Sequence, residues 1–451
     1  MIRPLFAMLV MAATAAHTAP SSDAFPFPIR VDRLPSGLTV ARVAFPSPGL
    51  VAYYTVMRVG ARNEVETGHT GFAHFFEHTM FKGTPRFPPG EREKRIVARF
   101  GLDDNAATSH DYTVYETFGP NEALPALIDA EADRFQYLTY TESSFQTEAR
   151  AVLGEYNKDV ASPETLLEER LVATAFTRHT YRHTALGFRE DILRMPQQFQ
   201  YSLGFFHRFY RPDNAVILVV GDFDDASVMA KVRASYAGWT GAGEKPAVPT
   251  EPVQNHPRTA NIDWPGPTLP RLWLAWHTPA VSLQTSDEAV STVLASYLAG
   301  ATSPLYQSLV LEKQWVESIV ADNSPHRDPH LFGIYSTVKD PAHVGDVEAA
   351  VSAAIAEVAA GRIDGKRLGD IKSAIHYGKL MNLETVRQVM DLLVPAAAFY
   401  GDPRGVNHEF EALSRVTPAQ LTSFAKAHLT MKNRTRLTLT GKTRVAEESP
   451  R

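Results

Sequence analysis

Residues Gly71 to Thr84 read GFAHFFEHTMFKGT, and the reading of the whole chain starts from them. His74 and His78 are four residues apart with Glu77 between them, so a helix here projects all three side chains from one face. Two neutral imidazoles offer two nitrogen ligands to a zinc ion, and a carboxylate one position before the second histidine stands close to the metal without having to ligate it. Glu77 is then placed to take a proton from an activated water.

The segment Phe145 to Asp159, FQTEARAVLGEYNKD, predicts a second helix with Glu148 and Glu155 on one face, seven residues apart. Its apolar residues Phe145, Ala149, Val152, Leu153 and Tyr156 predict that this helix is packed. A carboxylate on a packed helix needs a partner. With His74 and His78, one from this helix would complete a three-ligand site that leaves the fourth position open, as catalytic zinc requires.

Taken together these stretches resemble the pitrilysin family of zinc peptidases, the inverzincins, whose H-x-x-E-H reverses the commoner H-E-x-x-H. Glu155 follows His78 by 77 positions, and LPSGLTV (Leu34 to Val40), VGARNE (Val59 to Glu64), NAATSHDYTVYE (Asn105 to Glu116) and YRPDNAVILVVGDF (Tyr210 to Phe223) extend the match through most of the mature chain. The resemblance implies one zinc ion per chain held by His74, His78 and Glu155, with Glu77 as catalytic base and Glu148 as a carboxylate behind the ligands. It also implies that Asn105, Ala106, Ala107 and Thr108 lie on an edge strand that takes an extended peptide as an added strand.

One departure bears on function. Family members present an arginine and, seven residues later, a tyrosine in a segment that here reads SPLYQSLVLEKQWVES, Ser303 to Ser318. The two positions are Val310 and Glu317, and neither can donate a hydrogen bond to a developing oxyanion, a loss worth about a hundredfold or more in rate. The resemblance therefore implies a zinc-bearing subunit whose homologous, zinc-less partner supplies the arginine and tyrosine, the two closing as a clamshell on peptides or unfolded segments. A self-sufficient homodimeric peptidase and a non-catalytic scaffold on the same fold are the alternatives.

The chain as a whole is compatible with that role. Its 451 residues predict at least two domains, and 45 basic against 50 acidic residues give a formal charge of −5, with no basic patch to suggest nucleic acid. There are no cysteines, so disulfides, thiolate ligands and cysteine catalysis are excluded. Residues 1–19, with Arg3 followed by an apolar run too short to span a bilayer, are expected to be a signal peptide, giving a periplasmic or secreted protein.

The expected fold is α+β, in two homologous halves of mixed sheet with helices: a zinc-binding half at 28–240, a Pro-rich linker at 241–258, and an inactive copy at 259–445. Tyr115 and Tyr335, each ahead of a long helix, mark the repeat, as do Asn214 and Asn433 ahead of β runs that end in glycine. In the second half Ser286 to Gly300, SDEAVSTVLASYLAG, stands where the zinc helix should be, without metal ligands. Asp346 to Gly361 predicts a helix capped by Asp346. His179 and His183 are expected to be structural or surface residues, and His326 and His330, beside Pro325 and Pro329, loop residues.

Overall fold

The period-two runs of β-branched and aromatic residues form two sheets. In the first, β1 (Arg30–Arg33), β2 (Thr39–Ala44), β3 (Leu50–Met57), β4 (Asp103–Thr108), β5 (Thr113–Pro120) and β6 (Ala215–Gly221) are ordered β1-β2-β6-β3-β5-β4. The computed structural model describes residues 25–241, 243 and 245–441, so the expected signal peptide lies outside the described residues. Strand β6, AVILVVG, is buried at every position and sits inside the sheet, parallel to β2 and antiparallel to β3. A strand covered on both faces has no use for alternation.

The second sheet contains β7 (Arg258–Trp264), β8 (Arg271–Thr278), β9 (Val316–Asn323), β10 (His330–Val338) and β11 (Arg434–Gly441), ordered β7-β11-β8-β10-β9. This is the order β2-β6-β3-β5-β4 again, with the parallel pair β2/β6 repeated as β7/β11. The two asparagines do the same work in each copy. Asn214 Nδ2 donates to the Phe209 carbonyl at 3.0 Å and Asn433 Nδ2 to the His428 carbonyl at 2.7 Å, tying strand to preceding helix.

Helices α1 (Phe72–Thr79), α2 (Leu124–Tyr137), α3 (Glu142–Asp159), α4 (Pro163–Ala175), α5 (Phe199–Phe209) and α6 (Asp225–Ser235) belong to the first half. The second half contributes α7 (Asp287–Ala299), α8 (Val344–Ala359), α9 (Gly365–Met381) and α10 (Val386–Tyr400), then two shorter helices ahead of β11. Helix α8 begins two residues before Asp346, which is a correction to the expected cap. The cause lies upstream: Asp340 accepts from Ala342 N at 2.8 Å and Pro341 takes the first helical position of a short turn that leads straight into α8.

Each sheet is covered on one face by a helix from the other half. Helix α10 of the second half packs Val389, Met390 and Leu393 against Ala52, Tyr54, Val56 and Leu218 of the first sheet. Helix α4 of the first half packs Leu167, Leu171 and Ala175 against Ala275, Leu437 and Leu439 of the second. Polar contacts reinforce the exchange. Arg58 donates to the Ala398 and Phe399 carbonyls, and Asp328 accepts from Arg62 at 2.5 Å while lying 2.9 Å from His179 Nε2. Among the described residues, no helix is long and apolar enough to cross a membrane.

Candidate metal centre

Helix α1 is amphipathic in a literal sense. Phe72, Ala73, Phe75, Phe76 and Thr79 face the core, where Phe76 stacks on Phe205 at 5.4 Å and Phe75 meets Phe145 of α3 edge-on at 4.9 Å. That second contact lays the acidic helix alongside α1, so the opposite face of α1 carries His74, Glu77 and His78 toward the carboxylates of α3.

The start of α1 is built from a distance. Gly71 sits at φ +86°, where a Cβ would fall 2.2 Å from the Ile192 side chain and 2.8 Å from the Leu186 carbonyl, so only glycine fits. No side chain at the N-cap position closes the helix; instead the buried Glu64 carboxyl accepts from Gly71 N at 2.8 Å and Ala73 N at 2.7 Å. Burial pushes the Glu64 carboxyl up to about 8 against the pull of those backbone N–H groups. Glu64 closes the VGARNE stretch; a carboxylate eight residues ahead of a helix without a side-chain N-cap is the one signal of its role in the sequence.

The three expected ligands meet. His74 Nε2 and His78 Nε2 lie 3.3 Å apart, and Glu155 Oε2 lies 3.5 Å from the first and 3.2 Å from the second. Donor atoms about 2.0–2.1 Å from a tetrahedral zinc stand about 3.4 Å from one another, so this triangle has the size of a zinc face. Glu155 Oε2 is buried with no hydrogen-bond donor among the described residues, and it faces the two imidazole nitrogens. Burial, and then the neighbouring His78, hold the His74 imidazole neutral, down to about 4. The residues fit a zinc ion.

Glu148 stands on the far side of the His78 ring. His78 Nδ1 is 3.0 Å from Glu148 Oε1, and since a carboxylate only accepts, Nδ1 carries the proton and Nε2 keeps its lone pair. Lys82 Nζ meets the other Glu148 oxygen at 2.5 Å. Burial would raise the Glu148 carboxyl, but the hydrogen bonds from His78 and Lys82 outweigh it and hold the group below the usual carboxylate range. Lys82 belongs to the same stretch as the two histidines, and its place four residues after His78 is the trace this role leaves in the sequence.

Glu77 lies with His74 and His78 in one cluster, its carboxyl pushed up by burial and pulled back by hydrogen bonding to Thr108. Thr108 is the last residue of β4, an edge strand whose only partner among the described residues is β5. Asn105 and Ala107 are exposed along that strand, with Ala106 and Thr108 partly buried between them. The free edge therefore ends beside Glu77. Val310 packs partly against the second core from a short helical turn at Gln307–Glu312, and Glu317 is exposed on β9.

Of the other histidines, His179 caps a short turn and pairs with Asp328, and His183 is buried, in line with a structural part. His330 opens β10, which corrects its expected loop placement: Leu331 to Val338 alternate into the second core and draw it into the ladder opposite Thr278.

Fold and site together define the class: an inverted H-x-x-E-H metallopeptidase scaffold in two α+β halves. The chain belongs to peptidase family M16, with residues 50–187 matching the model described as Insulinase (Peptidase family M16) and residues 200–375 that of the Peptidase M16 inactive domain. It is 29% identical over 368 residues to the zinc protease PqqE of Helicobacter pylori, covering 80% of this chain and 81% of that protein. The crystal structure of a protease from Helicobacter pylori superposes with a TM-score of 0.85 at 27% identity, covering 92% of this chain and 99% of that one. The fold also matches the periplasmic protease PqqL from Escherichia coli, TM-score 0.76 at 18% identity, over 95% of this chain but 49% of that one.

Proposed function

We propose that this chain is a zinc-dependent endopeptidase and the metal-bearing subunit of a heterodimer. The observation that carries the reading is the triangle of His74 Nε2, His78 Nε2 and Glu155 Oε2, with Glu77 beside it at the end of a free strand edge. The 28–240 unit would hold the ion and the 259–445 unit, beyond the linker at 241–258, would be its inactive copy.

A zinc ion held there would supply Lewis acidity and a water acidified to a pKa of about 7. The chain's own residues do the rest. Glu77 accepts a proton from the attacking water and returns it to the leaving amine, its raised carboxyl pKa suiting both directions. The free edge of β4 takes an extended peptide by main-chain hydrogen bonds, which ask little of its sequence, and lays the scissile bond beside Glu77. Glu148 and Lys82 keep His78 in the tautomer that turns Nε2 inward.

With Val310 and Glu317 at the positions where the resemblance calls for an arginine and a tyrosine, the homologous zinc-less partner would bring those two side chains to the oxyanion. The likeness to half of the longer PqqL chain favours a site completed by a second such unit. Since α4 and α10 lock the two halves of this chain together, opening for substrate would occur between chains. Export to the periplasm or out of the cell, read from the N-terminal segment, would suit peptide substrates there.

The test is to express the chain with and without a homologous zinc-less chain and to compare zinc content, mass in solution and cleavage of a quenched peptide. Zinc in both preparations and cleavage only in the mixture is the expected result. Full activity of the isolated chain would replace the heterodimer with a homodimer, and absence of zinc from both would leave a non-catalytic scaffold.

A further inference from the structure

We propose that His110, His326 and His330 form a second cation site, for a divalent transition metal of the zinc, nickel or copper class, that clamps the two halves of the chain together. One ring nitrogen from each lies within 4.8 Å of the other two. His110 lies between β4 and β5 of the first sheet, His326 precedes β10 and His330 opens it in the second, so the cluster bridges the line where the halves exchange helices.

The tautomers leave lone pairs free. His110 Nε2 is 3.1 Å from the His183 carbonyl and His326 Nδ1 is 2.7 Å from the Ser324 carbonyl. A carbonyl only accepts, so those nitrogens carry the protons, and His110 Nδ1 and His326 Nε2 remain as acceptors. A backbone carbonyl that holds the far nitrogen of an imidazole is the usual outer support of a ligating histidine. His330 has both ring nitrogens buried and bonded to nothing among the described residues, a state that costs free energy until a partner arrives.

There is room for the ion. A cavity of about 110 Å³ opens on the cluster, with Glu168 and Asp322 on its wall to supply negative charge. A cavity needs about 10–15 Å³ of such space to hold one water, so an ion with bound water fits. The His326 and His330 rings stack at 3.5 Å and 12°, so ligation by both requires one ring to turn about its Cβ–Cγ torsion. Imidazole-only ligation favours zinc, copper and nickel over magnesium and calcium.

The cluster uses none of the residues of the H-x-x-E-H centre, and the experiment separates the two. Untagged His74→Ala removes the first ion, so zinc per chain after dialysis is measured on the parent, on His74→Ala, and on His74→Ala with His330→Phe, which keeps a stacked ring. The expected counts are two, one and none. Added zinc should raise the melting temperature of His74→Ala and leave the double variant unmoved. If His330→Phe fails to unfold cooperatively, His326→Gln in the His74→Ala chain carries the same expectation. A His74→Ala chain with no ion at tens of micromolar zinc, or a double variant that keeps its ion, overturns the proposal. Two ions remaining on His74→Ala would instead count against the first centre.

Discussion

His78 and Glu148, 70 residues apart in the chain, are joined at 3.0 Å, and the bond sets which nitrogen of the ring faces His74 and Glu155. Glu148→Gln keeps the size of the side chain but removes the charge and lets an amide NH₂ turn against the Nδ1 proton. Zinc affinity should fall about 10–100-fold, as for other supports of ligating histidines. Lys82→Met should move it the same way by less. Competition with a chelator reads both, and unchanged affinity in Glu148→Gln would show that the bond orients nothing.

Glu77 acts on protons and is no ligand in this reading. Glu77→Gln should keep its zinc and lose about a hundredfold or more in hydrolysis, the range of a positioned base. His74→Ala and Glu155→Gln should lose the ion of this centre, measured by elemental analysis after dialysis. Parental turnover by Glu77→Gln in the assembled enzyme would assign the base elsewhere.

Glu64 makes stability depend on pH. Its folded pKa is raised from 4.5 to about 8, so between those values the folded chain holds a proton that the unfolded chain has released. Stability contributed by the protonated carboxyl is complete below pH 4.5 and is lost as pH climbs through about 8. The full window corresponds to on the order of 5 kcal/mol. Glu64→Gln, uncharged at every pH, should flatten the fall in denaturant midpoint from pH 5 to 8; an unaltered slope would assign the titration to another group.

The exchanged helices predict damage at a distance in sequence. Leu393 of α10 is 1% exposed and packs on a sheet whose strands lie within residues 30–221. Leu393→Ala should cost about 2–5 kcal/mol and speed hydrogen exchange at β3 and β6. Faster exchange confined to the second sheet would contradict the packing.

Much of this molecule was legible early. The H-x-x-E-H helix follows from spacing, because 3.6 residues per turn put positions 74, 77 and 78 on one face whatever surrounds them. The repeat followed from paired landmarks such as Asn214 and Asn433, since each serves a bond between neighbours five residues apart. The cap of α8 was misplaced because the start of a helix is set by whichever upstream residue first closes a turn, here Asp340.

What the sequence by itself determined is local: which residues share a helical face, which runs are strands, and that nitrogen and oxygen must hold any metal in a chain without cysteine. What only the tertiary structure decided is which partner each of those faces meets. Glu148 and Glu155 lie on the same side of α3, about 10 Å apart along it, and the crossing of α3 over α1 sends one to Nδ1 and the other to Nε2 of a single imidazole. The support of α1 by Glu64, the exchange of α4 and α10, and the gathering of His110, His326 and His330 depend in the same way on contacts between distant segments, which no spacing along the chain encodes.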